Sequence, residues 1–310
     1  MILIMVKWMR WIFCFLVGAI MWAGVLAGCF RGGEGEREGG AVDKRWRIAL
    51  KADKNPESMF EVRQGLEVAL RQIAGREVEV VVPTAGGVVF EGLRNGSLDA
   101  AYVSALEYLQ GSREGGVVAE LGQEVKGRMF YESVWVVRAD ASYRSVDELR
   151  GKPVCFASRT STSGYLVPLA NLVQTGRLRY GGKAEEFFGV GNVYFGTGYV
   201  SAIERLLNGQ VEAAAVSDYV MEGDKHLTKE QKEKLRILAR QGPVPTHLIV
   251  MRAGLAEEER AALRAALMRL NEVEWVALRD RAFAGALVAV DGEEHVRSLL
   301  QMLEMIGQKP

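Results

Sequence analysis

Residues 152–168 read KPVCFASRTSTSGYLVP. The run Pro153-Val154-Cys155-Phe156-Ala157 is short and apolar, the composition of a buried strand. A polar segment follows, in which Ser158, Thr160, Ser161, Thr162 and Ser163 supply five hydroxyls within six residues. Beyond Gly164, the residues Leu166, Leu169, Ala170 and Val173 recur at helical spacing. The stretch predicts strand, hydroxyl-rich turn, helix. The first turn of a helix has backbone N–H groups without internal partners and carries the positive end of the helix dipole. Such a turn suits an anion, and adjacent hydroxyls add donors. The same residues suit plain helix capping, for which Thr160, Ser161 or Thr162 would serve. One cap uses one hydroxyl, so the surplus points beyond capping.

Upstream, Trp46-Arg47-Ile48-Ala49-Leu50 predicts a strand, and residues 58–74 a helix with Val62, Leu66, Ala69, Leu70 and Ile73 on one face. Strands at 77–82 and 98–103 flank a second helix at 88–94. This alternation predicts a parallel, doubly wound α/β sheet. Ligands of such sheets sit beyond the carboxyl ends of the strands, which brings Asp53, Thr84 and the segment from Tyr102 to Ser104 toward a pocket. Downstream, Val134-Trp135-Val136-Val137 is a strand, after which the chain is expected to cross near Arg138 into a second lobe. It returns at Gln241-Gly242-Pro243-Val244-Pro245. Ser145 and Glu148 have capping-box spacing. Two final helices, 256–282 and 291–306, are expected to pack on the first lobe, the second capped by Asp291 and Glu294.

The turn Ser161-Thr162-Ser163-Gly164-Tyr165-Leu166-Val167-Pro168 resembles the ligand-binding signature of the phosphate, phosphite and phosphonate solute-binding proteins of ABC transporters. Asp53-Lys54-Asn55-Pro56-Glu57, Gly96-Ser97-Leu98-Asp99-Ala100-Ala101 and Tyr131-Glu132-Ser133 are similar to further landmarks of that family. The likeness spans residues 47–270. It implies a two-lobed periplasmic-binding-protein fold of type II, each lobe a doubly wound, mainly parallel sheet with flanking helices. The lobes would be residues 46–138 plus 240–310, and 139–239. It also implies a small phosphorus oxyanion held between them by Ser161, Thr162, Ser163 and Gly164, with Tyr131, Tyr199 and Ser104 completing the cage and Asp53 nearby. Relatives often carry His where Tyr199 stands and Asp where Glu212 stands. A Tyr hydroxyl gives a weaker, neutral bond than a protonated His, and Glu212 would accept only from a protonated ligand oxygen or be protonated itself. The implied partner is an ABC permease. Alternatives are a sensor kinase, with the same fold reporting its loaded state to a membrane signalling protein, or a different small solute.

The 310-residue chain has room for two domains, and 39 basic residues balance 39 acidic ones, so no basic stripe points to nucleic acid. The three histidines, His226, His247 and His295, belong to no HExxH or Cys/His metal spacing and are read as surface residues. No GxSxG elbow or GxxxxGK[ST] loop occurs, and Gly189-x-Gly191 and Gly196-x-Gly198 lack the third glycine of a dinucleotide pattern. The expectation is a binding protein without cofactor or metal. At the N-terminus, Lys7 and Arg10 precede an uncharged run, 11–28, that ends in Leu26-Ala27-Gly28-Cys29. This resembles a lipoprotein signal cut before Cys29, whose thiol would carry the lipid; an uncleaved anchor is the alternative. Either reading puts the body outside the cytoplasm and tethered to a membrane of the cell envelope. Residues 29–45, rich in Gly and charge, read as a flexible tether. Cys155, in the predicted buried strand, reads as an inert thiol.

Overall fold

The computed structural model describes residues 45–51, 56–83 and 86–308; residues 1–44, with the expected signal and Cys29, and also Asp53 and Thr84, lie outside them. In chain order the elements are β1 (Trp46–Ala49), α1 (Pro56–Ala74), β2 (Val78–Val81), α2 (Gly86–Asn95), β3 (Ala100–Val103), α3 (Ala105–Ser112), β4 (Val117–Glu124) and β5 (Phe130–Arg138). There follow β6 (Val154–Phe156), α4 (Val167–Gln174), α5 (Ala184–Phe188), β7 (Val193–Phe195), α6 (Tyr199–Leu207), β8 (Ala213–Ser217), α7 (Asp218–Glu222) and α8 (Lys229–Glu233). The chain closes with β9 (Leu235–Pro245), β10 (Leu248–Arg252), α9 (Glu257–Met268), α10 (Val276–Phe283), β11 (Ala286–Ala289) and α11 (Gly292–Met305).

The strands form two sheets, one of order β11-β4-β10-β3-β1-β2 and one of order β7-β6-β8-β5-β9. In the first, β1, β2, β3 and β4 run one way against β10 and β11; in the second only β5 opposes the rest. The mainly parallel α/β arrangement follows from the sequence for a physical reason. Strands covered on both faces must be apolar throughout, and Ala213, Ala214, Ala215, Val216 and Ser217 of β8 are all buried.

The changeover between sheets differs from the expected one. β5 pairs with β8 and β9, so Val134, Trp135, Val136 and Val137, all fully buried, lie inside the second sheet rather than in the first. The chain passes between sheets in residues 125–129 and returns at Thr246 and His247, not near 138 and 240. β4 and β11, which the sequence reading did not assign, extend the first sheet.

Three local expectations also change. The helix expected at 256–282 breaks after Met268, because the Asn271 amide turns aside to donate to the Leu287 carbonyl at 2.8 Å and accept from the Leu287 N–H at 3.0 Å. Ser145 makes no side-chain cap, and Glu148 accepts from the Arg144 N–H at 3.1 Å instead. α9 and α10 pack on the first sheet through Leu263, Leu267 and Phe283. α11, capped by Asp291 as expected, packs against α4 and β9 as well as α3, so Val296, Leu299 and Leu303 share one core with elements of both sheets.

Candidate functional site: a hydroxyl and tyrosine cluster at the strand ends

The carboxyl ends of β6, β7 and β8 lie along one edge because these strands are parallel. β5 runs antiparallel to β8, so its first residues reach the same edge.

After β6 the chain folds into a π-helical turn, Thr162–Leu166, that runs straight into α4. The Leu166 N–H donates five residues back to the Ser161 carbonyl at 3.1 Å. Ser161 is the cap: its Oγ accepts from the Gly164 N–H at 3.0 Å. Both Ser161 Oγ and the Gly164 N–H are thereby spent on the turn itself. Gly164 has a packing role, since a Cβ there would collide with the Ala157 methyl and stand 3.2 Å from the Ala215 carbonyl oxygen. Its carbonyl in turn accepts from the Ala157 N–H at 3.1 Å. The turn is thus seated on β6 and β8. The N–H groups of Thr162 and Ser163 stand in the first turn, where a helix offers no acceptor, and Ser163 is fully buried.

Three tyrosines surround Ser163. Tyr199 opens α6 just after Gly196-Thr197-Gly198, a turn closed by the Thr197 N–H donating to Ser201 Oγ at 2.8 Å. The Tyr199 and Ser163 hydroxyls share a hydrogen bond of 2.8 Å. Tyr131, at the start of β5, and Tyr219, just past β8, lie 5.9 Å apart, and Tyr199 meets Tyr219 edge-on at 5.7 Å. His226 packs on Tyr219 at 5.6 Å. Burial pushes the Tyr131 and Tyr219 phenols well above their ordinary range, Tyr199 reinforcing the effect on both. Both therefore remain neutral O–H donors at any physiological pH. Asp218, only 4% exposed, accepts from the N–H groups of Tyr219 at 2.8 Å and Glu132 at 3.1 Å.

The first sheet contributes a charged wall. Ser104 caps α3, its Oγ accepting from the Glu107 N–H at 3.3 Å and donating to Glu107 Oε2 at 2.6 Å, so its hydroxyl is already engaged. Lys51 Nζ reaches the same carboxylate at 2.7 Å. Burial works against ionisation of Glu107, but Lys51 and Ser104 together hold its carboxyl below the usual range. Tyr102 donates to the Phe283 carbonyl at 3.0 Å and stacks on His247 at 5.1 Å. Burial, with Lys51 adding to it, lowers the His247 pKa to about 4, leaving a neutral ring at pH 7. A cavity of about 580 Å³ separates Lys51, Phe90, Ser104 and Glu107 on this side from Arg159, Thr160 and Thr162 on the other.

Several expected site residues are therefore together: Ser161, Thr162, Ser163, Gly164, Tyr131 and Tyr199 at one edge, with Ser104 across the cavity. Glu212 is not among them. It precedes β8, five residues of strand from Ser217 and so roughly 16 Å from the site edge. There it accepts from Arg138 Nη2 at 3.0 Å and the Tyr143 hydroxyl at 3.3 Å. The carboxylate at the site edge is Asp218. Asp218 and Tyr219 are not among the residues expected at the site, although the carboxyl-end rule applied to β8 points to both. The histidines are not free surface groups either: His247 and His226 pack on tyrosines, and His295 Nε2 donates to the Thr246 carbonyl at 3.0 Å. Among the described residues no cluster suits a metal ion, and no helix is long and apolar enough to cross a membrane.

Residues 48–305 match the family described as ABC transporter, phosphonate, periplasmic substrate-binding protein. The chain belongs to that family. Its members are extracytoplasmic solute-binding proteins, not enzymes. The phosphate-import protein PhnD of Mycolicibacterium smegmatis is 29% identical over 157 residues, covering 49% of this chain and 49% of that relative. The chain thus matches about half the length of this curated relative. PhnD1 from Prochlorococcus marinus, in complex with methylphosphonate, has a TM-score of 0.68 at 16% identity, over 86% of this chain and 100% of that one. XAC2383 from Xanthomonas citri, bound to ATP, has a TM-score of 0.67 at 18% identity, over 85% and 97%. At such identities the likeness fixes the fold: type II, with the solute-binding family's two sheets.

Proposed function

We propose that this protein captures a small phosphorus oxyanion of the phosphate, phosphite or phosphonate type between its two sheets and delivers it to an ABC permease. The observation that carries the reading is the Ser163–Tyr199 hydroxyl pair at 2.8 Å, set beside the helix-start N–H groups and ringed by Tyr131 and Tyr219. These donors are neutral and prearranged, so an anion exchanges water for fixed O–H and N–H groups. That suits a receptor that must release its cargo. Asp218 gives the cluster an acceptor, which favours a ligand oxygen that still carries a proton. The relatives' phosphate and methylphosphonate fit this chemistry. Closure of the two sheets on the ligand would bring the Lys51 and Ser104 wall toward the turn. Lipid attachment at Cys29 would keep the receptor beside its permease.

Thermal unfolding of the full chain in detergent, with phosphate, phosphite, methylphosphonate or sulfate added singly, tests this. A ligand at a hundred times its dissociation constant stabilises by about 2.7 kcal/mol. A shift with one phosphorus oxyanion, lost in Ser163→Ala, supports the reading; no shift with any of them refutes it.

A further inference from the structure

The turn after β6 has two faces. Ser161 caps Gly164 and Ser163 faces Tyr199, whereas Thr160 and Thr162 line the cavity of about 580 Å³. Pockets of roughly 300–1,000 Å³ enclose whole organic molecules; a bare oxyanion would fill a small part of this one. Its wall is mixed. Phe90, Leu106 and Leu166 offer apolar surface, and three cations stand among them. Lys51 is neutralised by Glu107 at 2.7 Å and Arg94 by Glu114 at 2.8 Å. Arg159 has no carboxylate partner among the described ion pairs; its guanidinium lies 4.0 Å from the centre of the Phe195 ring. Stacking uses the face of a guanidinium and leaves its edge N–H fork for a carboxylate or phosphate.

We propose that this cavity is a second subsite, and that the ligand is an organic phosphorus compound with two anionic ends. The phosphoryl end meets the turn, the carbon chain crosses the apolar wall, and a distal carboxylate or phosphate is held by Arg159. This rests on the oxyanion reading above and narrows it. Lys51 and Arg94 already have their counter-charges, so the uncompensated Arg159 selects an anionic tail and disfavours an ammonium one.

Calorimetric titration of the full chain in detergent with inorganic phosphate, methylphosphonate and 3-phosphonopropionate, on wild type and Arg159→Gln, tests it. The carboxylate-tailed ligand is expected to bind wild type about tenfold more tightly than methylphosphonate, the size of one charge-assisted contact near solvent. Arg159→Gln removes that margin and leaves methylphosphonate binding unchanged; Arg159 is exposed and loses only its stacking on Phe195, so the variant melts within about 4 °C of wild type. Equal wild-type affinities, or a margin that survives Arg159→Gln, overturn the subsite while leaving the oxyanion reading in place. Should none of the three ligands bind, the oxyanion reading falls and the subsite falls with it.

Discussion

Gly164→Ala probes how the sheet and the site depend on one another. An added Cβ would collide with the Ala157 methyl and stand 2.8 Å from Ser161 Oγ, so the turn must lift off β6. Forced overpacking of this kind costs about 1–3 kcal/mol. Lifting the turn breaks the Ser161 cap on the Gly164 N–H, a further loss of about 1 kcal/mol. Alanine's better helix propensity returns about 0.5–1 kcal/mol. The net expectation is destabilisation by about 1–3.5 kcal/mol, a fall in melting temperature of roughly 2–14 °C for a protein of this size. Circular dichroism melts of the full chain in detergent measure it. Gly87→Ala is the control: that glycine lies in α2 with nothing within 4 Å of the added Cβ, so the variant should match or slightly exceed wild type. If Gly164→Ala melts within a degree of wild type and binds ligand equally well, the turn does not owe its position to this contact, and the account of the site is wrong.

Three other outcomes are expected. A double-mutant cycle of Ser163→Ala and Tyr199→Phe in urea unfolding should give a coupling of about 0.5–1.5 kcal/mol from their 2.8 Å bond; strict additivity would mean the bond contributes nothing. Glu212→Gln should leave ligand affinity unchanged and cost under about 1 kcal/mol of stability, because its partly exposed pair with Arg138 lies at the far edge of β8; a tenfold affinity loss would contradict that placement. The His247 pKa of about 4 lies below the ordinary 6.5, so between these values the unfolded chain binds the proton that the folded one refuses. Stability is then full above pH 6.5 and is lost as pH falls toward 4, by up to about 3 kcal/mol, with burial of His295 acting in the same direction. His247→Gln should flatten urea-unfolding profiles across that window; an unchanged slope would show that His247 is not the group responsible.

Most strands and helices from β1 to β3 and from β6 to β8, the hydroxyl-rich turn and the Asp291 cap could be read from the chain because each depends on neighbours within a few residues. Apolar runs, helical spacing and capping side chains are local properties, and so is the family signature at Ser161-Thr162-Ser163-Gly164-Tyr165. Which of the five hydroxyls serves as the cap was not local: Ser161 takes that role because the turn settles on Ala157, just past β6, and on Ala215 of β8. Nor could the chain show that β5 joins the second sheet, since pairing with β8 and β9 is settled by partners 78 to 115 residues away. The same holds for the carboxylates. Glu212 and Asp218 bracket one strand, and only the direction of β8 within its sheet sends Asp218 to the ligand edge and Glu212 to Arg138 at the opposite end. Sequence fixes what each segment prefers to be; the sheet decides which ends of those segments meet.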